Sequence, residues 1–117
     1  MDPDGVTVWE ESEGLRRLVL RAFEGVDADV FLFGSRATGA AGEVSDWDIG
    51  YRCVGPPPRG RLLRLEEELE ELPLPTAVEF VDFADVPADF QRLVLAKGVK
   101  VWKRASKSSI GRWSLGR

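Results

Sequence analysis

Two short segments carry side chains of the right type and spacing to act on a phosphorylated substrate. In Ser45-Asp46-Trp47-Asp48-Ile49 the carboxylates of Asp46 and Asp48 are two positions apart. At the start of an extended segment, where side-chain direction alternates, both project to one face. Like charges that close are costly unless something positive sits between them. A divalent cation is the economical solution, and oxygen-only ligation selects Mg²⁺ or Mn²⁺ over softer metals. Upstream lies Gly34-Ser35-Arg36-Ala37. Here a glycine allows close approach, backbone amides and the Ser35 hydroxyl suit an anion, and Arg36 adds charge. Taken singly, each segment is commonplace: a bare D-x-D is usually a solvated pair, and a Gly-Ser step an ordinary turn with serine as the cap. Together, a phosphate cradle and a metal-binding pair on neighbouring strand ends describe metal-assisted phosphoryl or nucleotidyl transfer.

Positioning these groups requires strands and helices in alternation. Ser12 offers an N-cap, and Leu15, Leu18, Val19 and Ala22 recur at helical spacing until Gly25. Val30-Phe-Leu-Phe33 is wholly apolar and suits a central buried strand. Residues 35–45 read as one helical turn and a loop, and Asp48 to Val54 as a second strand closed by Gly55-Pro-Pro-Pro58. Residues 60–72 place Leu62, Leu65, Leu69 and Leu72 on one stripe of a helix. Ala77 to Phe83 is a third strand, Pro87 opens a helix running to about Lys97, and Val99 to Trp102 is a fourth strand. The fold class expected is α/β (α+β): a short mixed sheet of about four strands with helices packed on it.

Composition narrows the chemistry. The 117 residues fit one domain, with 44% hydrophobic and 31% charged side chains typical of a globular chain. No run is apolar and long enough to span a bilayer, and the acidic N-terminus lacks the order of a signal peptide. The absence of histidine and the single Cys53 exclude Cys/His zinc sites, Ser-His-Asp triads and Cys-His dyads. A lone cysteine fits a reducing cytoplasm. Neither the dinucleotide fingerprint nor the P-loop sequence occurs. From Gly98 onward come six of the 16 basic residues and none of the 20 acidic ones. The expected division is thus a domain over residues 1–104 and a basic, flexible tail over 105–117. An acidic body is a poor general nucleic-acid binder.

Gly34-Ser35-Arg36-Ala37-Thr38-Gly39 with Ser45-Asp46-Trp47-Asp48 resembles the G-S…D-x-D signature of the nucleotidyltransferase superfamily with the DNA polymerase β-like fold. The chain's small size resembles the minimal nucleotidyltransferase (MNT) branch, often paired with a helical HEPN-domain protein as a toxin–antitoxin module. The resemblance covers residues 15–104 and implies a third acid on a later strand, usually Asp. Val78-Glu79-Phe80-Val81-Asp82-Phe83 is that strand, with Glu79 at the third position. Alternation puts Asp82 on the opposite face. Glu79 is favoured because apolar residues flank it on both sides, where an unpaired buried charge would be penalised; Asp82 reads as solvated or capping. Glutamate in place of aspartate moves the carboxylate by about 1 Å, a scale on which phosphoryl transfer depends.

By this resemblance, Asp46, Asp48 and Glu79 are both metal ligands and catalytic residues, while Gly34, Ser35, Arg36 and Ser45 bind the nucleotide. The implied cofactor is Mg²⁺ (or Mn²⁺), the substrate ATP, and the acceptor a tyrosine of the HEPN partner, which is AMPylated and neutralised. One rival is a binding-only antitoxin. Another is a partner-dependent subunit acting on a small molecule or an RNA end, since no acceptor-binding domain fits in this length. Trp47, between the acids, is expected in packing on the other face. Trp113, in a polar tail, suggests docking on a partner or a second copy in a homo-oligomer.

Overall fold

Period-two alternation along the strands lets one sheet serve two different faces. In the computed structural model, which describes residues 3–39, 46–71 and 77–106, the elements run in order as follows. Helix α1 (Pro3–Ala22) precedes strand β1 (Ala28–Phe33), the short helix α2 (Ser35–Thr38) and strand β2 (Trp47–Cys53). Then come helix α3 (Arg59–Glu70), strand β3 (Val78–Asp82), helix α4 (Ala88–Lys97) and strand β4 (Lys100–Lys103). The sheet order is β3-β2-β1-β4; β1 pairs antiparallel with both neighbours, and β2 pairs parallel with β3. This is the mixed four-stranded α+β architecture expected from the sequence.

One face is sealed by α1 and α3. Val30 and Leu32 of β1 and Trp47 and Ile49 of β2 pack there with Leu15, Val19 and Phe23 and with Leu62, Leu65 and Leu69. The three leucines of α3 lie on the stripe that their spacing defines; Leu72 lies outside the described residues. The opposite face carries Phe31, Phe33 and Phe83 with Val94 and Leu95 of α4. Phe83 meets Phe31 and Phe33 edge-on, with ring centroids 4.8 and 5.3 Å apart, an arrangement favoured by the ring quadrupoles. Helix α1 starts at Pro3 rather than after Ser12; proline is well suited to a first helical turn, where its missing N–H costs nothing.

The end of β4 is latched to the start of β1. Buried Asp29 accepts the Ala105 N–H at 2.9 Å. Asp27 accepts both the Ser106 hydroxyl and its N–H, at 2.6 and 2.7 Å, and these bonds hold its carboxyl below the usual range. The latch carries ordered chain two residues past Arg104; residues 107–117 lie outside the described set. No helix among the described residues is long and apolar enough to cross a membrane.

Candidate active site

The site is assembled by register. Phe33 of β1 is paired with Asp48 of β2, and Asp48 with Glu79 of β3. Directly paired residues on neighbouring strands share a face, so Phe33, Asp48 and Glu79 form one row, with strands about 4.8 Å apart. Asp46 stands two residues before Asp48 and on the same side. Trp47 between them is buried in the core of the other face, as alternation requires.

The acids feel one another. The Asp48 carboxyl is raised above its ordinary value, first by burial and then by the negative charges of Glu79 and Asp46. It also lies directly against Gly34. A Cβ added to Gly34 would collide with Asp48 Oδ2 and come within 3.3 Å of its Cγ. Gly34 has φ 77° and ψ −161°, in a region where L side chains are strained. The turn therefore uses glycine for two reasons: its backbone conformation and the space the carboxylate occupies. Gly34→Ala is expected to displace Asp48 and lower any activity that rests on it by at least tenfold, with about 1–3 kcal/mol lost from stability. Thermal melts and activity measurements check both effects, and unchanged activity would show that Asp48 need not stand where it does.

Gly34 caps α2, and its carbonyl accepts the N–H groups of Ala37 and Thr38 at 3.0 and 3.2 Å. Ser35 is the first helical residue rather than the cap, and its hydroxyl makes no hydrogen bond among the described residues. Arg36 is held elsewhere: its guanidinium carbon lies 4.0 Å from the centroid of the Trp47 ring, a cation–π contact. The structure thus brings together Gly34, Asp46, Asp48 and Glu79 and places Ser35 beside them. It sets Arg36 on the indole that faces away from the acids. Ser45 lies outside the described residues.

One detail differs from the sequence expectation. Glu79 is exposed, not buried, despite its apolar neighbours, because β3 is an edge strand. Asp82 points to the other face and accepts the Ala84 N–H at 3.0 Å, capping the turn after β3. There it sits beside Tyr51, whose hydroxyl is pushed up by burial and by Asp82. Cys53 is only half-buried, and its thiol is raised by burial and by Asp82, which leaves it a poor nucleophile at neutral pH.

The donors fit a hard divalent cation. All are carboxylate oxygens, and the mutual repulsion that raises Asp48 is what such an ion would relieve. Among the described residues no three acids close into a ready-made cage. Mg²⁺ does not require one, since it keeps several waters and takes one or two carboxylates along with substrate phosphates.

The fold and site define a class. The family model for Polymerase beta, Nucleotidyltransferase matches residues 20–107, so the chain belongs to that family and is a nucleotidyltransferase domain. Solved structures share the fold at low identity. A toxin–antitoxin structure with AMP-PNP is 16% identical with a TM-score of 0.61, covering 86% of this chain and 81% of that one. The toxin–antitoxin MntA-HepT is 14% identical with a TM-score of 0.56, covering 88% of this chain and 80% of that one. No curated relative matches.

No local spacing signals the apolar surface of α4 that flanks Ser35, where Phe90 and Leu93 are exposed. Only the packing of α4 against β1 brings them there.

Proposed function

We propose that the protein transfers AMP from ATP, with Mg²⁺ or Mn²⁺, to the hydroxyl of a tyrosine on a HEPN-type toxin partner, and so acts as its antitoxin. The observation that carries this reading is the register Asp48↔Glu79 with Asp46 on the same face, beside the Gly34-Ser35 turn. Similarity to toxin–antitoxin structures, one with AMP-PNP, supports it.

Asp46, Asp48 and Glu79 would hold the divalent ion, which when bound neutralises phosphate charge and makes the attacking oxygen more acidic. The Gly34 turn and the Ser35 hydroxyl bind the β- and γ-phosphates, and Ser45, next to Asp46 in the chain, adds a further hydroxyl. Arg36, stacked on Trp47, steadies the turn from the side away from the acids. Glu79, open to solvent at the sheet edge, takes the proton of the acceptor hydroxyl. The acceptor oxygen then bonds to the α-phosphorus, the bond from that phosphorus to the β-phosphate oxygen breaks, and pyrophosphate leaves.

Incubating the protein with a HEPN-type partner, ATP and Mg²⁺ should add the mass of one or more AMP groups to a partner tyrosine, and EDTA should prevent it. A second reading, neutralisation by contact alone, is favoured by Glu79, a glutamate exposed at the sheet edge where the resemblance implies an aspartate. Neutralisation without any mass gain would establish that reading and end the first.

A further inference from the structure

Between the Gly34-Ser35 turn and α4 lies a cavity of about 370 Å³. Ser35 and Thr38 stand on one wall, and Phe90, Leu93 and Lys97 of α4 on the other, with Phe33 between. Phe33 belongs to the row that holds Asp48 and Glu79, so the cavity adjoins the acidic face. Lys97 is the one cation among the described residues that line it. It lies in the last turn of α4, is exposed, and makes no ion pair among the described residues. The Thr38 hydroxyl donates to the Ser35 carbonyl at 3.3 Å, leaving the Ser35 hydroxyl as the polar group opposite Lys97.

Charge and order along the substrate decide what belongs there. Three carboxylates and a triphosphate carry more negative charge than a divalent ion balances, so a further cation is favoured where the excess lies. Arg36 is occupied with Trp47. If the α-phosphate is at the acids and the chain of phosphates runs toward Ser35, the terminal phosphates arrive at this cavity. The nucleoside leaves from the other side of the α-phosphate and does not reach it.

Resting on the transfer reading above, we propose that Lys97 binds the terminal phosphates of the nucleotide in this cavity, opposite the Ser35 hydroxyl. Lys97 thereby distinguishes a triphosphate from a monophosphate and holds the pyrophosphate as it departs.

Calorimetry on the full chain with Mg²⁺ tests this, using ATP, AMP and inorganic tripolyphosphate on the parent protein, Lys97→Ala and Lys97→Arg. Lys97→Ala should weaken ATP and tripolyphosphate about tenfold while AMP shifts by less than about twofold, and Lys97→Arg should restore most of the loss. An unchanged melting temperature separates this from damage to α4. Equal losses for ATP and AMP would place the nucleoside in the cavity and overturn the proposal, as would ATP binding indifferent to Lys97→Ala. Failure of the parent protein to take up any of the three would instead remove the transfer reading itself, and this assignment with it.

Discussion

Asp48→Asn should reduce nucleotide transfer by about a thousandfold and at the same time raise the melting temperature of the metal-free protein at neutral pH. The loss follows from position. Asp48 is the central acid of the row, paired with Glu79, flanked by Asp46 and set against Gly34; an amide there keeps the shape and removes the charge. The gain follows from the same crowding. Folding raises the Asp48 carboxyl above its ordinary value, through burial first and then Glu79 and Asp46. A group raised in this way favours the folded state below its unfolded value, and that contribution is lost as pH climbs through the folded value. At neutral pH the ionised carboxylate therefore works against folding, and asparagine lifts that cost. The parent protein should also gain from mild acidification into the window just above 3.8, a gain absent in Asp48→Asn. Transfer assays and melts across pH check both arms. A variant that loses transfer and also melts lower would mean that Asp48 supports the fold, and its loss of activity would then say nothing about chemistry.

The second large effect is on stability alone. Gly50→Ala should destabilise the protein by about 3 kcal/mol, a large share of a small domain's margin. Gly50 lies in β2 opposite Phe31, and a Cβ there would meet the Phe31 ring and come within 2.7 Å of Phe83 Cε1. Both phenylalanines are fully buried and locked edge-to-face, so neither can swing aside without opening the core under α4. Denaturant melts measure the change. A loss under about 1 kcal/mol would show that the aromatic layer yields more readily than close packing implies.

The part of the site encoded by local spacing was legible. Alternation alone puts Asp46 and Asp48 on one side and Trp47 on the other, and the structure keeps that division. The alternation that separates Glu79 from Asp82 also holds. Which strand lies beside which is a different matter. The parallel pairing that sets Glu79 level with Asp48 depends on the path of α3 between the two strands, and only a family resemblance pointed to it. Exposure failed for a related reason: apolar neighbours in sequence say nothing about whether a strand sits at the edge of a sheet, as β3 does. The affinity of Arg36 for Trp47 was equally hidden, since both residues are ordinary members of their own segments and meet only when α2 folds back beside β2. Ser12 looked like a helix start but falls inside α1; no leucine precedes Leu15, so the stripe that marks the helix begins late. The helix stripe of α3 and the proline that opens α4 were plain, because both rest on single-segment rules.

The aspartate latch has a consequence for geography. Because β4 runs antiparallel to β1, Ser106 is fastened beside Asp27, where β1 begins, whereas Gly34 and the acids stand where β1 ends. A six-residue strand separates the two points by about 20 Å. Ser106 and the reactive rim thus occupy opposite poles of the sheet, so a label joined at residue 106 would stand clear of the acids.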